Sequence, residues 1–294
     1  MKIQKNILIF LIFTGLFLAV LSGIYIQSMK PSVLTILMLT PTISCILTQQ
    51  ITHQPLNFKQ LKPDLSKNKK IFLIVYFATP LLAFGGAFIY FTLFPNHFDP
   101  LHSEIAKQWQ LTGSSAYFSQ LMVMLPLAVL MNPIGGILQC LGEEFAWRGF
   151  LLPALAEQIG RFKGVLVSGT IWGIWHAPII LTGFNYGTEH PVLGMLAMIL
   201  FCIVVSGLSS WLYFKTSNLW PSIIFHAALN AIDKITPVKL FMSQPANSFI
   251  GPNLTGIIGG SLFIFISCIC YSLLYKEEYV KAKKGYVDIP ICLK

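Results

Sequence analysis

The chain has 294 residues, 55% of them hydrophobic and only 11% charged, and its mean hydropathy is +0.69. Soluble domains carry about a quarter charged residues, so this balance excludes an ordinary soluble enzyme and points to a polytopic membrane protein. The net charge of +9 would suggest nucleic acid on a soluble chain, but no Gly-rich phosphate loop or aromatic-basic interleaving accompanies it.

Eight apolar stretches are long enough to be read as spans: 6–27, 33–52, 71–94, 118–147, 165–184, 192–213, 219–236 and 253–275. The first follows "MKIQKN" without an A-x-A-like cleavage site and reads as an uncleaved anchor. Between the second and third, "FKQLKPDLSKNKK" (Phe58 to Lys70) reads as a basic loop on lipid headgroups. The outer loop Asn96 to Gly113 has room for a short amphipathic helix. The fourth span is interrupted by "NPIGG" (Asn132 to Gly136), where Pro133 removes a donor and a helix break is expected. The seventh is short and polar, tolerable when neighbours shield it.

With eight spans, sixteen of the 20 Lys and Arg residues fall on one side and four (Lys30, Lys107, Lys234 and Lys239) on the other. The positive-inside rule then places both termini in the cytoplasm of a multi-pass cell-membrane protein. The six cysteines lie mostly in apolar runs without a CxxC pair, which predicts buried reduced thiols. The C-terminal "ICLK" puts Cys292 at the prenylation-box position, but its terminal Lys is atypical of that signal.

Three polar clusters stand against this background. "LGEEFAWRGF" (Leu141 to Phe150) carries Glu143, Glu144 and Arg148; on a helix Glu144 and Arg148 are four apart and share a face, whereas Glu143 is turned by about 100°. One carboxylate can then be neutralised by the guanidinium while the other, in low dielectric, serves as a general base. "IWGIWHAPI" (Ile171 to Ile179) holds His176 beside Trp172 and Trp175, with a helix break expected at Pro178. "LWPSIIFHAALN" (Leu219 to Asn230) puts His226 and Asn230 on one face, with Pro221 in the first turn and Asn218 as cap.

Each cluster alone also has a structural reading: an interfacial ion pair, a hydrogen-bonded packing histidine, interhelical glue. Trp147, Trp172, Trp175 and Trp220 read as interfacial belt and packing. Together the clusters ask for one centre made of two carboxylates, two imidazoles and an amide. No Ser or Cys has an evident base partner. Loop positions for His53, His97, His102 and His190 predict surface roles.

These residues resemble the CPBP family, the CAAX proteases and bacteriocin-processing (Abi) enzymes, whose pattern is Glu-Glu-x-x-x-Arg, then aromatic-x-x-x-His, then His-x-x-x-Asn. Here the three read "EEFAWR" (Glu143 to Arg148), "WGIWH" (Trp172 to His176) and "HAALN" (His226 to Asn230), in order, within about residues 118–235. The neighbouring "RGFLLPAL" (Arg148 to Leu155) is typical of bacterial members. The resemblance implies an all-α membrane protein of about eight helices: N-terminal helices and basic loop over 1–117, a catalytic core over 118–235, and a last helix and basic tail over 236–294. It implies an intramembrane endopeptidase acting on a membrane-associated or secreted peptide or protein. Glu143 and His176 would activate water, His226 and Asn230 would stabilise the oxyanion, and Glu144 and Arg148 would orient them. A zinc ion on Glu143, His176 and His226 is one form of this chemistry; a metal-free glutamate base is the other. A non-catalytic immunity or scaffold protein of the same fold and a proton-coupled transporter are the rival readings.

Overall fold

The computed structural model describes residues 4–55 and 58–283, and the C-terminal "ICLK" lies outside them. Among the described residues the only regular elements are helices. In chain order these are α1 (Lys5–Ser28), α2 (Pro31–Ile51), a 3-10 turn (Phe58–Leu61), α3 (Leu65–Leu93), α4 (Glu104–Gln108) and α5 (Ser114–Ala146). A π-helical turn (Trp147–Leu151) leads into α6 (Leu152–Ile159), followed by α7 (Arg161–Ile180), α8 (Pro191–Thr216), α9 (Trp220–Ile232), α10 (Pro237–Phe241) and α11 (Ser261–Lys283). The stretches Lys5–Ser28, Pro31–Ile51, Asn68–Leu93, Ser114–Ile159 and Pro191–Thr216 are long and apolar enough to cross a membrane. With the apolar composition, they make this an all-α, multi-pass membrane protein.

The helix boundaries follow local chemistry. α1 stops at Met29, whose left-handed backbone (φ 52°) turns its N–H onto Tyr25 O, and α2 restarts two residues later on Pro31, where a missing donor costs nothing. The same pairing of a left-handed stop and a proline start brackets α8, with Ser217 (φ 50°) after it and Pro191 opening it. Between α6 and α7, Gly160 takes φ +85°, and a Cβ there would fall 1.7 Å from a Glu278 carboxylate oxygen. That carboxylate accepts from the Phe162 N–H at 3.1 Å, so α11 supplies an anion to the positive end of α7.

Three expectations from sequence are corrected. Pro133 does not break α5, which runs unbroken from Ser114 to Ala146. α7 continues through Pro178 to Ile180, because a proline in the last turn removes only one bond of the ladder. The eighth span, expected over 253–275, begins its helix at Ser261: Gly251, Gly256, Gly259 and Gly260 fold the preceding stretch into tight turns, and a Cβ on Gly259 would meet Asn253 O at 2.2 Å. α9, at 13 residues, is about 20 Å long and falls short of a bilayer core of about 30 Å.

The chain divides into two compact units. The first is built from residues 1–70, 138–223 and 266–294. Its tightest helix pair is α7 against α8, where Gly169 and Gly173, four apart, let the backbones approach. A Cβ on Gly173 would lie 2.5 Å from Ile199 Cα, and one on Gly169 would lie 3.0 Å from Ile203 Cα. The second unit comprises residues 71–137 and 224–265. Its core gathers Ile105, Ala106, Tyr117, Leu121 and Leu240, and Tyr117 Oη donates to Leu240 O. Here the expected short helix of the outer loop is α4, capped by Ser103, which accepts from Ala106 N at 3.2 Å.

Gly173→Ala should destabilise the protein by roughly 1–3 kcal/mol, because the new methyl meets backbone rather than a mobile side-chain end. Gly15→Ala, with nothing within 4 Å of its Cβ, should leave the melting temperature unchanged or raise it. Thermal unfolding in detergent compares the two.

Candidate active site

In the first unit, the end of α5, the π-turn, α7 and α8 bring one set of polar side chains together. Glu143, Glu144 and Arg148 are 1%, 0% and 1% exposed, so each charge must be met from within the protein. Glu144 is met by a cation: Arg148 Nη1 donates to its Oε1 at 2.9 Å, and Ser209 Oγ donates to Oε2 at 3.3 Å. Arg148 Nη2 donates onward to Ser206 Oγ at 3.1 Å. Ser206 and Ser209 both stand on α8, so α8 completes an ion pair formed between α5 and the π-turn.

Glu143 is met differently. Its Oε2 accepts from the Trp172 indole N–H at 2.7 Å and from the Trp147 indole N–H at 3.2 Å. Two neutral dipoles thus hold one oxygen, and neither carries a formal positive charge. The Arg148 guanidinium carbon lies 4.5 Å from the Trp172 ring centroid, a cation–π contact. Trp172 therefore holds the uncompensated carboxylate by its edge and the compensating cation by its face.

The same residue reaches the imidazole. His176, half-buried one turn along α7, sets Nδ1 2.8 Å from Trp172 O. A carbonyl only accepts, so Nδ1 carries a proton and Nε2 is the remaining ring nitrogen. The Trp175 ring packs edge-on against the His176 ring at 4.9 Å and against the Trp147 ring at 6.0 Å, limiting how far the imidazole can turn. Cys202 Sγ lies 3.8 Å from Nδ1.

The first unit thus gathers four of the six residues singled out from sequence: Glu143, Glu144, Arg148 and His176. His226 and Asn230 belong to the second unit, on α9, where they share a face and His226 is buried. Asn218 caps α9, its Oδ1 accepting from Trp220 N at 2.9 Å. Sequence reasoning missed Trp147, Trp172, Ser206 and Ser209 as polar partners. Trp147 stands four residues after Glu143, the same spacing that identified Glu144 with Arg148, but an indole was counted as apolar bulk. Ser206 and Ser209 in "VSGLSS" gave no local signal of what they bond.

Among the described residues, no group of three His, Cys, Asp or Glu side chains is placed to hold a metal ion.

Residues 118–232 match the model of the Rce1-like family, described as type II CAAX prenyl endopeptidase Rce1-like. CAAX prenyl protease 2 of Methanococcus maripaludis is 24% identical over 128 residues, which is 42% of this chain and 44% of that protein. Lysostaphin resistance protein A of Staphylococcus haemolyticus is 26% identical over 149 residues, 49% of this chain and 37% of that protein. The chain spans less than half the length of the curated relatives it matches. All three motifs lie inside the matched segment.

Arg148→Ala should cost about 3–5 kcal/mol, because it leaves Glu144 charged and buried. Ser206→Ala, which removes one acceptor and leaves the ion pair in place, should cost less, about 1–3 kcal/mol. Chemical or thermal unfolding of the purified variants reads the contrast.

Proposed function

We propose, from the membership in the CPBP family that these matches support, that the protein is an intramembrane endopeptidase using a glutamate base. One observation carries the reading: of two adjacent buried carboxylates, Glu144 is committed to Arg148, while Glu143 is oriented by indole dipoles and left able to take a proton. An ion pair kept only for stability has no use for the second acid.

Glu143 uses Oε1, the oxygen outside the two indole bonds, to accept a proton from water as that water attacks a peptide carbonyl. His176, through Nε2, holds the water against the base. His226 and Asn230 donate to the oxygen of the tetrahedral intermediate. When the carbon–nitrogen bond breaks, the proton held by Glu143 passes to the leaving amine, so acid and base are the same group in turn. Glu144 and Arg148 fix the frame. A buried polar site of this kind must admit water and exclude lipid, which suits a substrate cut close to the membrane. Substrates are a membrane-associated or secreted peptide or protein; a CAAX-type prenylated peptide is the probe suggested by the name of one relative. The charge segregation read from the sequence supports a cytoplasmic position for both termini.

The test is cleavage of a panel of farnesylated CAAX peptides and unmodified membrane-anchored peptides by purified protein in lipid. Glu143→Gln should lower the rate by at least about 100-fold while the protein stays folded, and His176→Ala should do likewise. A zinc chelator should leave the rate unchanged. Wild-type turnover by Glu143→Gln, or no cleavage across the panel, would replace the peptidase with a non-catalytic protein of the same fold.

A further inference from the structure

The 3-10 turn Phe58–Leu61 is bound to the site's own elements. Gln60 is 7% exposed although its neighbour Lys59 is exposed. Its Nε2 donates to Gly149 O at 3.3 Å, and its Oε1 accepts from Tyr213 Oη at 3.3 Å. Its backbone oxygen accepts from Leu219 N at 3.2 Å. On either side, Leu61 O accepts from the Trp220 indole at 2.7 Å, Lys62 O accepts from Asn218 Nδ2 at 2.8 Å, and Phe58 stacks on Phe145.

The bond to Gly149 answers a defect written into the sequence. In a regular helix Gly149 O accepts from the N–H of residue 153, but residue 153 is proline, which has no N–H and crowds that carbonyl. The chain widens into the π-turn, closed by Leu152 N–H onto Trp147 O, and Gln60 brings a donor from outside the helix. Gly149 O only accepts, so the amide nitrogen must face it and the amide oxygen must face Tyr213. Gly149 is fixed by the same contact: a Cβ there would lie 2.6 Å from Gln60 Nε2.

The π-turn matters because both carboxylates reach across its edge. Glu143 and Glu144 end α5, while their partners Trp147 and Arg148 open the turn. Any rotation of the turn moves both donors at once. We propose that Gln60 is a positioning residue of the active site, holding the π-turn in the register that aims Glu143, Glu144 and Arg148. This rests on the reading of that site as catalytic, and its geometric half can be read without turnover.

Gln60→Glu is the discriminating variant. It keeps the size and the acceptor for Tyr213, but its ionised carboxyl sets an oxygen against Gly149 O. Amide exchange by mass spectrometry should rise over residues 147–152 and stay unchanged in α8. With the farnesylated CAAX peptide as substrate, kcat should fall about tenfold with KM unchanged, since a small misplacement of a base is costly and a residue that acts only through the π-turn leaves substrate binding alone. The ratio of variant to wild-type kcat should climb as pH falls, because the protonated carboxyl regains a donor. Should Gln60→Glu loosen the whole chain, Gly149→Ala decides, since its methyl displaces the same amide: loosening confined to 147–152 upholds the proposal, and its absence overturns it. Unchanged exchange over 147–152, or local loosening with kcat intact, also overturns it. Cleavage by Glu143→Gln would sink the peptidase reading instead, leaving the exchange result to stand.

Discussion

A carboxylate buried inside a membrane-spanning helical protein cannot rely on bulk water, so its charge must be met chiefly by donors that the fold itself delivers. This constraint organises the first unit. Glu144 receives a guanidinium and a serine hydroxyl; Glu143 receives two indole N–H groups. The difference between these solutions is chemical. A cation at hydrogen-bond distance neutralises the carboxylate it pairs with, whereas neutral dipoles orient it without supplying an opposite charge. Arg148 is bound to Glu144, to Ser206 and to the Trp172 face, so it is not at liberty to neutralise both acids.

Delivering those donors requires close and slightly irregular backbone. Trp172 reaches Glu143 from α7 while Ser206 and Ser209 reach the ion pair from α8, and the two helices approach closely over Gly169 and Gly173. The acids end α5 and their first partners begin a π-turn, an arrangement that follows from Pro153 four residues beyond Gly149. The residues that keep the chemistry in place are thus glycines, a proline and hydroxyls with no chemistry of their own.

Much of this was legible in the sequence. The helical class, the long apolar elements and the Glu144–Arg148 pair follow from composition and from spacing of four, which are local properties. The resemblance to the CPBP family rests on three motifs in order, and the Rce1-like match covers the same stretch. What escaped were contacts between distant segments. Trp172 was read as packing because its polar atom is one in a large apolar ring. Gln60 was read as part of a basic surface loop because only the folded chain brings it to Gly149. Helix breaks at Pro133 and Pro178 were expected from local propensity, and neither occurs, because a helix can lose a single rung and continue. The start of α11 was misjudged because apolar residues around Gly251 to Gly260 serve turns instead of a span.

The claim on which the rest depends is that Glu143 is held by the indoles of Trp147 and Trp172 while Arg148 serves Glu144. Selective labelling of the six tryptophans and recording of their indole N–H resonances in lipid nanodiscs addresses it directly. On Glu143→Gln, the two signals assigned by Trp147→Phe and Trp172→Phe should move and the other four should stay. Signals from Trp147 and Trp172 that do not respond to Glu143→Gln would contradict the account.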